Sequence, residues 1–140
     1  MNPKLALRIA AVIMFLHLLG HTFGHLNWRK AEDPVKQEVI RQMTGHRFPF
    51  MGAEKSMGDY YEGYGLGSAL MLLLIAVLLW VLSAADSTNA SLAGKVLLPL
   101  ALFLFAFGVM EWIFFFPFAA MFSLISGLLS LLAWLRLRKK

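Results

Sequence analysis

The chain has 140 residues, 59% of them hydrophobic and 15% charged, with a mean hydropathy of +0.68; soluble domains run at roughly 45–50% apolar and about 25% charged. That composition excludes an ordinary soluble domain and a disordered chain alike and describes a single membrane domain. The formal charge of +5 sits mainly beside apolar runs, where it reports topology and not nucleic-acid binding, and the absence of cysteine excludes disulfides, iron–sulfur clusters, thiolate metal sites and thiol redox chemistry.

A membrane-crossing helix needs roughly 20 largely apolar residues. The first span is expected at about residues 5–27, apolar from Ile9 to Leu19 and then polar through His21, Thr22 and His25. Lys4 and Arg8 resemble the start of a signal peptide, but no small-x-small cleavage site follows, so the segment is expected to be kept as a span. Residues 28–62 are too long for a simple turn and are expected to be folded. Within them Asp33-Pro34 starts a short amphipathic helix bearing Val35, Val39, Ile40 and Met43, Gly45 stops it, and His46 to Met51 continues as an extended apolar stretch.

The second span is expected at about residues 63–85, with Asp59 and Glu62 resembling a capping box at its entry. From Val96 to Leu135 the chain carries Glu111 as its only charge. As one helix this stretch would be about 60 Å long, twice the hydrocarbon thickness. It must therefore fold back at Phe116-Pro117-Phe118, which gives spans at about 93–115 and 117–137. The expected fold is an all-α integral membrane four-helix bundle with an external loop of 35 residues containing a short amphipathic helix.

Orientation follows from the basic residues. The side holding both termini carries Lys4, Arg8, Lys95, Arg136, Arg138, Lys139 and Lys140 against Asp86 alone, while the six basic residues of the 28–62 loop are balanced by six acidic ones. Both termini are expected in the cytoplasm. Trp80 and Trp134 then fall near the inner interface and Trp28 and Trp112 near the outer one, an aromatic belt that agrees with the four-span division.

His17, His21 and His25 recur every four residues, so on a helix they drift only about 40° per step and form one stripe. Gly20 and Gly24 share that face and suggest close helix approach, with histidines serving either as a ligand site or as interhelical hydrogen-bond donors. Since about 12 Å of helix separates His17 from His25, at most one adjacent pair can hold a single ion. Glu111 is the acidic residue set deepest in an apolar segment, where an unpaired carboxylate is costly and needs a histidine or a metal to share its charge.

In the expected topology His21, His25, Glu62 and Glu111 occupy the external half of the bundle, with His21 and Glu111 at matching depth as the candidate catalytic acid/base pair. The candidate ligand-binding set is His17, His21, His25, Tyr61, Glu62, Tyr64, Glu111 and Trp112; the candidate metal set, for a divalent zinc or iron, is His21, His25, Glu62 and Glu111. His-x-x-x-His here lacks the glutamate of His-Glu-x-x-His, and Gly63-Tyr64-Gly65-Leu66-Gly67 follows no strand and is no phosphate loop. Bis-histidine haem is disfavoured because the intramembrane histidines lie on one helix. Glycines 20, 24, 63, 65 and 67 remove volume at the level of these polar residues, so a cavity of roughly 300 Å³ or more under the loop is expected.

The run from His17 to His25, with Phe50-Met51-Gly52 and Tyr60-Tyr61-Glu62-Gly63-Tyr64-Gly65, resembles a family of small, uncharacterised bacterial four-helix membrane proteins over nearly the whole chain. The resemblance implies the bacterial inner membrane and no particular activity. Three functions are compatible with the residues. One is binding of a small hydrophobic or lipid-like ligand at the His/Glu site. Another is a small proton-coupled transporter, against which Glu111 stands near one surface. The third is a non-catalytic accessory or scaffold protein. The expected partners are the bilayer, a lipid-like small molecule and a second copy of the chain.

Overall fold

A computed structural model describes residues 2–85 and 89–138; Asp86, Lys139 and Lys140, which enter the charge count, lie outside the described residues. The element order is α1 (Pro3–Leu26), α2 (Pro34–Gly45), β1 (Arg47–Phe50), β2 (Ala53–Ser56), α3 (Met57–Leu82), α4 (Ala90–Phe114) and α5 (Pro117–Leu137). Helices α1, α3, α4 and α5 are long and apolar enough to cross a membrane, so the chain is a four-span membrane protein. It divides into two compact units, one formed by residues 1–18 and 72–140 and the other by residues 19–71.

In the first unit α4 and α5 fold back on each other, as the proline argument requires: Phe116 is extended (φ −153°) and Pro117 occupies the first turn of α5. The contact is close because α5 presents a seam of small buried residues, Ala119, Ala120, Ser123, Ser126, Gly127, Ser130 and Ala133. A Cβ on Gly108 would lie 2.7 Å from Leu124 Cγ, and one on Gly127 would lie 3.3 Å from Leu104 Cβ. Packing of small residues is the usual means by which helices associate in lipid, where apolar burial provides little drive. Leu7, Met14, Leu72, Leu79, Leu97 and Leu104 fill the remaining core. The Ser126 hydroxyl reaches Ala10 O on α1 at 3.4 Å. Arg8 lies over the Trp80 ring and Arg138 over the Trp134 ring, at 5.2 and 4.8 Å from the centroids, which is cation–π range.

In the second unit α2 has the expected bounds. Asp33 Oδ1 accepts the Lys36 amide at 2.8 Å, which satisfies one free donor of the first turn. Beyond α2 the chain departs from expectation: the extended stretch is one arm of a two-stranded antiparallel hairpin, pairing Arg47 with Ser56 and Phe50 with Ala53. Its two-residue turn places Met51 at φ 49° and Gly52 at φ 84°, the primed geometry that matches strand twist.

Helix α3 starts at Met57, six residues before the expected span. The physical reason is a reciprocal cap. Ser56 Oγ accepts the Asp59 amide at 3.0 Å while Asp59 Oδ2 accepts the Ser56 amide at 2.8 Å. Ser56 is therefore the N-terminal member of the box and Asp59 the distal one, which leaves Glu62 free for another role.

Candidate functional site

Glu111 is paired with His17, not with His21 as expected. His17 Nε2 lies 3.1 Å from Glu111 Oε1, and the two residues are 6% and 4% exposed. The imidazole stacks on Phe122 of α5 at 5.3 Å, and Phe118 meets Phe122 edge-on. A carboxylate oxygen only accepts, so with Glu111 ionised Nε2 carries the shared proton and Nδ1 of a neutral ring holds a lone pair. Among the described residues, His17 Nδ1, His25 Nε2, Glu111 Oε2 and the Ser123 hydroxyl are buried without a hydrogen-bond partner. His17, Glu111 and Ser123 belong to one unit and His25 to the other; unpartnered buried polar atoms of this kind are ordinarily avoided.

Glu62 belongs to the second unit, is partly exposed, and has its close partners on one oxygen. Its Oε1 accepts from Trp28 Nε1 at 3.1 Å and pairs with Arg29 Nη2 at 2.9 Å, while Oε2 lies 3.5 Å from His25 Nε2. The carboxylate thereby ties the end of α1 to the first turns of α3. Trp28 packs on Tyr61 at 4.6 Å, and the His25 ring lies parallel to that of His21 at 6.0 Å. His21 Nε2 is 2.9 Å from Gly65 O; a carbonyl only accepts, so this nitrogen is the protonated one.

Gly65 is essential to this arrangement, since a Cβ there would sit inside the His25 imidazole. The other candidate glycines behave differently: a Cβ on Gly20, Gly24, Gly63 or Gly67 meets nothing within 4 Å. These four are not a packing seam, and the close approach expected of Gly20 and Gly24 is found instead at Gly108 and Gly127.

The expected cavity is absent from the best-formed hollows. One is an open depression of about 740 Å³ along Arg29–Gln37, and the other a crevice of about 60 Å³ at Ala6, Leu132, Ala133 and Arg136. Among the described residues no three His, Asp or Glu side chains gather in a way that could hold a metal ion: Glu111 is in one unit, whereas His21, His25 and Glu62 are in the other. Tyr64 and Trp112 are 77% and 56% exposed.

Sequence reasoning missed Ser123, Trp28 and Arg29. The small-residue seam of α5 is the signal that pointed to Ser123, whereas Trp28 and Arg29 carried none beyond their place at a span end. No protein-family model, characterised protein or solved structure matches the chain.

Proposed function

We propose that the chain is a small multi-pass protein of the bacterial inner membrane, with both termini cytoplasmic, whose buried His17–Glu111 pair binds and releases a proton in a proton-coupled transport cycle. The observation that supports this reading most directly is the ion pair itself, with both side chains nearly excluded from the surface. With Nε2–H donated to the carboxylate, the pair carries a net negative charge; one proton at Nδ1 makes it an imidazolium–carboxylate of zero net charge. Switching between those states in an apolar environment is how intramembrane His and Glu residues couple proton movement to helix rearrangement.

The objection that Glu111 stands near one surface weakens on two counts. Its partner is nine residues, about 13 Å, inside the end of α1. In addition, Phe114, Phe115, Phe116 and Phe118 around the α4–α5 turn are all exposed, which supports a turn seated in an apolar layer.

A second reading is binding of a small lipid-like molecule, and the unpartnered trio favours it. Glu111 Oε2, His17 Nδ1 and Ser123 Oγ offer acceptors and a hydroxyl to a polar head, with Phe122 alongside.

The deciding experiment measures proton uptake by purified protein in weakly buffered detergent after an acid pulse, with a pH-indicator dye. Wild type should take up one proton more than Glu111→Gln. Equal uptake overturns the proton reading. A co-purified amphiphile seen by native mass spectrometry, retained by wild type and lost in His17→Gln, establishes the second reading.

A further inference from the structure

We infer that the tip of the β1–β2 hairpin is a membrane-docking wedge whose Phe48, Phe50 and Met51 seat among the headgroups of the bilayer that the spans cross.

Three observations carry this. Strand alternation and the pairing register put Phe48, Phe50, Ala53 and Lys55 on one face and Arg47, Pro49, Glu54 and Ser56 on the other. The second face is anchored at its base, where Ser56 is buried and bonded to Asp59 and Arg47 reaches Asp59 at 3.4 Å, while Pro49 and Glu54 are exposed. The aromatic face makes none of these anchoring contacts and is open, with Phe50 62% and Met51 92% exposed. Two rings, a thioether and one flanking lysine make the mixed surface that interfacial segments present to lipid.

The second observation is conformational. A primed two-residue turn needs positive φ at both positions, which favours Asn, Asp or Gly at the first. Met51 occupies that position at φ 49°. Turn chemistry does not call for a long apolar side chain there, and at 92% exposure the thioether is available to lipid.

The third is reach. Strand β2 runs into α3 without a linker, Ser56 being followed directly by Met57, and four strand residues extend about 13 Å. The tip thus stays close to the first turn of a membrane-crossing helix on which Tyr64 is exposed and Tyr60 and Tyr61 are partly so, as interfacial tyrosines are.

The chain has no cysteine, so Met51→Cys takes a single nitroxide label. In vesicles of phosphatidylethanolamine and phosphatidylglycerol, power-saturation spectra should show the label relaxed more by oxygen than by a water-soluble nickel chelate. It should resemble a label on Leu70→Cys in α3 and differ from one on Lys36→Cys in α2. Phe50→Cys repeats the reading one residue away and covers the case in which the turn variant fails to fold. A label at either position that follows the Lys36→Cys pattern overturns the proposal. So does spin–spin broadening that disappears on dilution with unlabelled protein, because a second copy would then cover the face.

Discussion

Removing one member of the His17–Glu111 pair is expected to cost more than removing both, and the two single losses are expected to be unequal. In His17→Leu the buried carboxylate loses the partner of Oε1 while Oε2 has none among the described residues; an uncompensated buried charge costs about 3–5 kcal/mol. In Glu111→Leu a neutral imidazole remains with both nitrogens unpaired, a penalty of about 1–3 kcal/mol for a buried polar group. The unfolded chain in a micelle also finds partners, which draws both values toward their lower ends. The double variant leaves neither group behind and should lie within about 1 kcal/mol of wild type, as apolar replacements of buried ion pairs do. Unfolding in mixed micelles by titration with a denaturing detergent, followed by tryptophan emission, gives all four corners of the cycle. Additive losses, or a Glu111→Leu variant weaker than His17→Leu, would refute the reasoning.

Gly65→Ala should lower stability by about 1–3 kcal/mol, because its Cβ displaces the His25 ring, while Gly63→Ala and Gly67→Ala, whose Cβ atoms meet nothing, should be neutral or gain up to about 1 kcal/mol of helix propensity; thermal unfolding in one detergent compares the three. Glu62→Ala releases Trp28 and Arg29 and should raise amide exchange at residues 26–30 without altering exchange in α4 and α5, as read by mass spectrometry. In α2 the guanidinium of Arg41, with help from Gln42, holds the Glu38 carboxyl down at about 2 against its ordinary 4.5. The stabilisation is therefore present above the ordinary value and is lost as pH falls toward about 2; a carbon NMR titration should find Glu38 still ionised at about pH 3, and Arg41→Ala should return it toward 4.5.

The spans and α2 were legible because each rests on a signal confined to neighbouring residues. Apolar run length separates the four long helices, Pro117 divides the last stretch, and Asp33-Pro34 with Gly45 brackets α2. The hairpin was not legible because its turn carries Met51 where turn chemistry would supply Asn or Asp; only Gly52 signalled it. The early start of α3 was present in the Ser56-x-x-Asp59 spacing but was masked by Asp59 and Glu62, which share that spacing. The pairing of Glu111 depends on information that no local pattern holds. His17, His21 and His25 are equivalent in spacing, and the choice among them is made by the packing of α1 against α5, where His17 stacks on Phe122.

The two glutamates show why a His–Glu contact alone does not identify a functional group. Glu62 is partly exposed and receives Trp28 and Arg29 on one oxygen, while the other lies 3.5 Å from His25, so it holds two helix ends together with solvent within reach. An exposed pair of that kind contributes about 0–1 kcal/mol, and its value lies in position. Glu111 has the opposite balance: it is nearly sealed from the surface, holds one imidazole nitrogen and keeps a second oxygen unused, while the far nitrogen of the same imidazole and the Ser123 hydroxyl are also unused. A purely structural carboxylate in lipid gains stability from every donor it can collect, and α5 places a serine rather than an alanine on the buried seam of the same unit. Unspent hydrogen-bonding capacity in a buried charged group is what a site that exchanges a proton, or receives a polar head, requires, and it is on that ground that the proposed function rests on Glu111 and His17 and not on the partly exposed Glu62.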